Sequence, residues 1–443
     1  MEVVCPRCAA LDVHKKTVTA SRTKLGPKGK KLRELRTFRT TTPDLLSMVH
    51  WLHEWGCTHV AMESSGDYWK PIYNLLEAEF EVLLVNAQHV KRVPGRKTDV
   101  TDAEWLNDLL QHGLLRASFI PPAPQRDLRD LTRYRTTLIR ERARAVNRVQ
   151  KLLEGANIKL GSVASDVLGV SGRAMLGALV YGKASPADMA ELAVGRLRAK
   201  IPQLEKALTG VVRSHHRFLL AQQLAHIDFL DEQIIAISEE IRKQIEDMSQ
   251  DRSSPSNSDT PQAPVGSSNA IDRGTAVRPA AAVVLLDTIP GVDRKLAEII
   301  VAELGTDMSR FPTAANAAAW SGLAPGNYES AGKRYSGRTR QGNKALRSGL
   351  IQGAWAASHT KDTYLSAQYR HLAGRRGKKR AIVAVAHSIL VIAYHMLSRA
   401  EPYHELGGNY FDERKKQSVA NRLIRRMQKL GYSVHLEPKA ATA

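Results

Sequence analysis

The chain has 443 residues, enough for two or three domains, each with its own core. Hydrophobic residues make up 43% and charged residues 25%, the balance of a globular protein rather than of a disordered or fibrous one. Lysine and arginine number 65 against 44 acids, a net charge of +21 that points to the phosphate backbone of DNA or RNA as partner.

A membrane surface is the rival for such a charge. No signal peptide opens the chain, and the longest apolar stretch, Ala381 to Leu397, is broken by His387 and His395, so no membrane association is expected. Three cysteines do not form a disulfide framework and suit a reducing cytoplasm. Cys5 and Cys8 make a C-x-x-C with no second pair to complete a zinc site.

In chain order, residues 9–23 read as two strands around the polar turn His14-Lys15-Lys16. The first is apolar except for Asp12, and a carboxylate inside an apolar strand is costly unless something uses it. A basic Gly-Pro loop leads to a third strand, Leu32 to Thr40. Thr42-Pro43 starts a helix running to about Trp55. Thr58 to Glu63 is a short strand ending in a carboxylate, Trp69 to Glu79 a helix, and Phe80 to Asn86 a further strand. A Gly- and Lys-rich loop (Pro94 to Lys97) then enters an apolar-periodic helix through Thr98-Asp99-Val100-Thr101-Asp102. Thr98 or Asp99 can cap that helix, and residues three apart share a face, so Asp99 and Asp102 can point at one place. Two such acids either complement the helix dipole or share a divalent cation.

Three strands, then helix, strand, helix, strand and helix match the ribonuclease H topology. In that arrangement Asp12 lies on the central strand and Glu63 at the end of the neighbouring parallel strand, where α/β folds place their sites. The closing helix brings Asp99 and Asp102 toward them, so four acids would converge.

Residues 116–155 predict a helix with many arginines, Arg129, Arg133, Arg140 and Arg144 among them, and few acids. A charge run is commonly a solvated face; the one-sided sign favours phosphate contact. Gly161 to Gly210 reads as short helices starting near Ser185-Pro186 and Ile201-Pro202. Residues 211–247 predict a long helix with a heptad-like seam from Leu220 to Ile245, suited to pairing with the Arg-rich helix or with another subunit. Residues 249–279, rich in Ser, Pro and Gly, read as a flexible linker and a domain boundary.

Beyond it, Pro290-Gly291 precedes a helix from Asp293 to Leu304, either a phosphate-binding helix-hairpin-helix or an ordinary αα turn. Ala314 to Trp320 is helical. Gly322 to Arg347 is a loop rich in Gly, Ser and Arg that enters a helix at about Asn343. It holds Ser330 and Ser336 among Lys333, Arg334, Arg338, Arg340 and Arg347. Such a loop can bind phosphate, and an activated hydroxyl in it could attack a phosphodiester. Helices at about 354–370 and 379–400 and a basic tail helix, Lys415 to Leu430, follow.

Leu11-Asp12-Val13-His14-Lys15, Met62 to Tyr68, Lys97 to Ala103, Pro290-Gly291 and the Gly322–Arg347 loop together resemble the IS110 family of insertion-sequence transposases, the DEDD transposases. The resemblance covers nearly the whole chain. It implies a ribonuclease H/RuvC-like α/β domain at 1–118, a long helical coiled-coil region at 119–248, the linker at 249–279, a mainly α C-terminal transposase domain at 280–400 and a basic tail at 401–443. It implies that Asp12, Glu63, Asp99 and Asp102 bind Mg²⁺ and that Ser330 is the nucleophile, with Lys97 and the basic residues named above on nucleic acid. The family places Gly straight after this serine; here Ala331 intervenes, which leaves Ser336, followed by Gly337, as a second candidate. DNA, a guide (bridge) RNA and a dimer or tetramer, with the acids of one subunit completed by the serine loop of another, are the implied partners. Two alternatives stand beside this: an Mg²⁺-dependent nuclease or Holliday-junction resolvase that activates water, and a non-catalytic nucleic-acid-binding protein.

Overall fold

The structure is a computed structural model. It describes residues 3–26, 30–63, 66–86, 90, 102–250, 276–326, 328–339 and 341–435, with the side chains of 328–330 and 334–336 outside that set. The chain divides into two compact units, Met1–Pro121 and Pro122–Ala443.

The first unit is built on a five-stranded sheet: β1 (Arg7–Val13), β2 (Thr17–Leu25), β3 (Lys31–Arg39), β4 (His59–Glu63) and β5 (Glu81–Val85). The strand order is β3-β2-β1-β4-β5. β1, β2 and β3 are antiparallel neighbours, whereas β4 runs parallel to β1 and β5 parallel to β4. Helices α1 (Thr42–His53) and α2 (Trp69–Leu76) supply the crossovers that parallel strands need. Side chains alternate across the strands, so each face has its own core. Ala9, Leu11, Val60 and Met62 pack against Met48, Leu52, Ile72 and Leu76 of α1 and α2. Cys8, Ala10, Ala61 and Val85 pack against Leu106, Leu109 and Leu110 of α3 (Asp102–Gln111). Cys5 and Cys8 are thus core residues, and burial pushes the Cys8 thiol up to about 12.

Buried Asn107 fastens α3 to the sheet. It donates to Ser21 O at 2.9 Å and Thr23 Oγ1 at 2.7 Å, and accepts from Cys8 Sγ at 3.1 Å. After α3 the chain returns along β5 through a bridge between Val85 and Ala117. That pairing and the prolines at 121, 122 and 124 keep residues 116–122 out of the expected helix, because a residue before proline is held out of the α region.

In the second unit α4 (Ala123–Gly155) packs along α9 (Ser214–Gln250). Leu128 shares a core with Ile241 and Ile245, Leu138 with Leu230 and Ile234, and Val149 with Leu220 and Leu224, so the two helices run antiparallel. Between them in sequence come α5 (Leu160–Val163), α6 (Val170–Tyr181), α7 (Pro186–Glu191) and α8 (Ile201–Leu208), which cover the far end of the pair. Ser185 and Asp188 form a reciprocal capping box on α7.

The C-terminal helices are α10 (Pro279–Asp287), α11 (Arg294–Leu304), α12 (Ala314–Ser321), α13 (Lys344–His359), α14 (Tyr364–Arg376), α15 (Lys378–Arg399), α16 (Tyr410–Glu413) and α17 (Lys416–Lys429). Their core includes Leu128, Ile241 and Ile245 from the long pair. The segment read as a linker therefore joins two parts of one unit; α9 reaches Gln250, and residues 251–275 lie outside the described set. By length and composition α15 could cross a membrane, and here Ile382, Val385, Ala386, Ile389 and Leu390 bury it in this core.

Candidate active site

β1 and β4 run parallel with Leu11 opposite Met62. Asp12 and Glu63 are the next residues on each strand. Residues in register on parallel strands leave the sheet on the same side. For this pair it is the side of Cys8, Ala10 and Ala61, which α3 covers. α3 runs opposite to β1: the carbonyl of Gln111, at its C-terminal end, accepts from the amides of Val4 and Cys5 ahead of the strand. Its first turn, with Asp102, therefore lies at the end of the sheet that carries Asp12 and Glu63. Asp12 has a side chain 29% exposed, and its Oδ2 lies 3.2 Å from His14 Nε2.

The sequence-predicted acids thus separate into three groups. Asp12 and Glu63 are adjacent on one face, Asp102 is at the same end of the unit, and Asp99, with Lys97, lies outside the described residues. Among the described residues no three of His, Cys, Asp and Glu are drawn close enough to hold a metal ion.

The serine loop contains an element that the sequence reading missed. β6 (Tyr328–Ser330) and β7 (Lys333–Ser336) form a two-stranded hairpin, with Ser330 paired to Lys333. The turn residues Ala331 and Gly332 have φ of 50° and 73°. Positive φ at both central positions is the geometry of a two-residue type I′ turn, which favours glycine. Ala331 occupies a position where a side chain is strained. The amide of Gly326 donates to the carbonyl of Arg338 at 3.2 Å, closing the base of the loop. Lys333 and Arg338 are exposed, and Arg347 donates to Thr339 Oγ1 at 3.0 Å. The side chain of Arg334 and all of Arg340 lie outside the described set.

Asn343 caps α13, accepting from the Leu346 amide at 3.0 Å. Its Nδ2 donates to Glu303 Oε2 at 2.6 Å. Glu303 is fully buried, and Arg133 reaches it with two hydrogen bonds of 2.6 and 2.9 Å. Arg129 adds a contact at 3.4 Å and donates to the carbonyl of Ala302 at 2.9 Å. Burial pushes the Arg129 guanidinium down to about 10, still cationic at neutral pH. Two residues beyond Arg133 on α4, Arg135 pairs with buried Glu298 at 2.5 Å.

Part of the arginine run is therefore internal. Arg129, 12% exposed, is committed to packing rather than to nucleic acid, and Arg133 is held by Glu303 while keeping a 44% exposed side chain. Arg140 and Arg144 face solvent, with Arg140 donating to Ser348 at 3.1 Å. The acids that hold the inward arginines, Glu298 and Glu303, went unread in the sequence. Their signal was the one noticed at Asp12: a carboxylate within an apolar run, here Leu296 to Leu304.

The Pro290-Gly291 turn behaves as a packed αα turn. Gly291 has φ of 84°, and a Cβ there would sit 2.3 Å from the carbonyl of Gly353 on α13. The amide of Leu296 in the first turn of α11 is taken by the Asp293 side chain at 2.9 Å, where a phosphate could otherwise bind.

A family model for IS110-type DEDD transposases matches residues 9–158, which span the sheet, α3 and all of α4. A second, described as the transposase of the IS116/IS110/IS902 family, matches residues 283–370, which span the serine loop. The chain is 28% identical over 358 residues to the protein y4rJ of Sinorhizobium fredii, named as a transposase, covering 75% of each chain. It is 24% identical over 355 residues to the transposase for insertion sequence element IS1111A of Coxiella burnetii, covering 79% of each. The two family models fall on the acid-bearing sheet and on the serine-bearing loop, and the chain belongs to the IS110 family of transposases.

Proposed function

We propose that this chain cuts and rejoins the DNA of an insertion sequence through a serine nucleophile, with Mg²⁺ held by Asp12, Glu63, Asp99 and Asp102. The observation that carries the reading is the placement of Asp12 and Glu63 side by side, at the end of the two central parallel strands. Carboxylate oxygens are the hard donors that Mg²⁺ prefers, and two carboxylates side by side can share one ion. Bound there, the ion would neutralise charge developing on the scissile phosphate. The strand order, with an antiparallel three-strand half and a parallel half, supports a ribonuclease H/RuvC-like unit.

In this reading the Ser330 hydroxyl attacks phosphorus. An oxygen–phosphorus bond to the enzyme forms as a DNA strand hydroxyl leaves, and reversal with a new strand hydroxyl rejoins the DNA. Lys333, Arg334, Arg338, Arg340 and Arg347 would hold the phosphates of the loop, with Arg140 and Arg144 extending the contact. A guide RNA and a dimer or tetramer belong to the same proposal. The net charge of +21 and the basic helix α17 support a nucleic-acid surface larger than the loop alone.

The test is to incubate the protein with element-end DNA, co-purifying RNA and Mg²⁺, then resolve the products on a denaturing gel. A protein–DNA adduct lost with Ser330→Ala alone supports the reading. An adduct lost only with Ser336→Ala moves the nucleophile to that residue. Cleavage without an adduct overturns the serine step and makes the protein a resolvase-like nuclease using water.

A further inference from the structure

A cavity of about 1050 Å³ opens between the base of the serine loop and helices α14 and α15. It is at or above the upper end of the roughly 300–1,000 Å³ typical of ligand pockets. One face of α15 lines it in two rows of helical spacing: Lys379, Val383 and His387, and beside them Arg380, Ala384 and Ser388. The opposite face of α15 is packed in the core, so this stripe is fixed in place.

The lining changes character with depth along the helix. Lys379 and Arg380 stand in the first turn of α15, next to Arg376 at the end of α14; all three are exposed. Val383 and Ala384, with Leu323 and Pro325 from across the cavity, form an apolar floor. Beyond them come His387 and Ser388. Burial holds the His387 imidazole below its ordinary value, which favours the neutral ring. Ser388 is held by Gln368 Nε2 at 2.8 Å, while the buried Oε1 of Gln368 has no donor among the described residues. Among the described residues no acid lines the cavity.

Cations at the mouth, an apolar floor and hydrogen-bonding groups at the far end match a nucleotide in outline: phosphate, base face, base edge. An intact duplex turns its base faces inward and offers a protein only phosphates, sugars and groove edges. The apolar floor has a partner only when bases are unpaired and can be splayed from the strand.

We propose that this cavity is a subsite for one or two unpaired nucleotides, with bases over Val383 and Ala384 and phosphates on Arg376, Lys379 and Arg380. The shared chemistry is that of a single strand, whether DNA opened near the serine loop or a loop of RNA. The proposal rests on the reading of the chain as a nucleic-acid enzyme but not on Ser330 as nucleophile, and its test needs no cleavage.

The experiment uses the full chain in the Ser330→Ala background, with DNA and RNA oligonucleotides that carry one photoreactive thio-pyrimidine in a paired or an unpaired position. Cross-links from the unpaired position should map to the peptide containing 380–388, and the paired position should give none there. Cross-linking by RNA alone or by DNA alone supports the proposal and names the source. Ala384→Trp, which fills the floor, should weaken single-strand binding by tenfold or more and change duplex affinity by less than twofold. Arg380→Gln, at an exposed position, should make the salt dependence of single-strand binding shallower by about 0.7, the slope per phosphate contact, and leave that of the duplex unchanged. Cross-links that map elsewhere overturn the proposal. So does an equal loss of single-strand and duplex affinity in Ala384→Trp with the Arg380→Gln slope unchanged.

Discussion

Asn343, the cap of the helix that follows the serine loop, is held at 2.6 Å by Glu303, a carboxylate with no exposed surface on a different helix. The same carboxylate receives Arg129 and Arg133 from α4. One buried charge therefore ties the long helical pair, α11 and the exit of the serine loop together. Removing one partner of a buried ion pair leaves the other charge uncompensated. Glu303→Ala should cost about 3–5 kcal/mol in urea unfolding of the second unit. Arg133→Ala, at a half-exposed position, should cost less than half of that. Equal and small losses for the two variants would show that the cluster contributes little.

Ala331 gives a prediction of opposite sign. An alanine at φ of 50° is in the left-handed region, where side chains cost about 1–2 kcal/mol. Ala331→Gly should therefore stabilise the hairpin by about 1 kcal/mol. Ala331→Val should destabilise it by more. Amide hydrogen exchange across 328–336 measures this: protection should rise with glycine and fall with valine.

In the first unit Asn107 is a buried polar link between α3 and the sheet. Replacing it by alanine strands the buried hydroxyls of Ser21 and Thr23 and opens a small cavity. Asn107→Ala should lower the stability of this unit by about 2–4 kcal/mol. Thermal unfolding followed by circular dichroism checks it. Because α3 carries Asp102, DNA cleavage should fall in the same variant even at temperatures where the unit remains folded.

His387 sets a dependence on pH. Its folded value is lowered by burial, so between that value and the ordinary 6.5 the unfolded chain binds the extra proton. The stabilisation is fully present above 6.5 and is lost as the pH falls through the folded value. The urea midpoint should therefore drop from pH 7 to pH 5, and the drop should be smaller in His387→Gln. An identical drop in the two proteins would assign it to other groups.

Local chemistry made the first unit readable. Short apolar or alternating runs between polar turns marked the strands, the proline at position 43 marked the start of α1, and an acid inside an apolar strand singled out Asp12. What escaped was set by partners distant in sequence. The sign imbalance of α4 was plain, yet it could not tell that Arg129, Arg133 and Arg135 meet Glu303 and Glu298 more than 160 positions away. The Ser-rich segment looked like a boundary, whereas Ile241 and Ile245 before it pack with Leu286 and Ile300 after it. Strands of three and four residues, as in the serine loop, are too short to show a period; the Ala331-Gly332 pair was the remaining signal.

In the proposed function the acids of the sheet act on DNA rather than support the fold. This is tested most directly by measuring DNA strand exchange and DNA affinity together in Asp12→Asn and Glu63→Gln, with folding followed in parallel. Each variant should lose strand exchange by at least about a hundredfold while keeping its fold and binding DNA within about threefold of the parent. Strand exchange that survives both substitutions, or is lost only together with folding and binding, would contradict it.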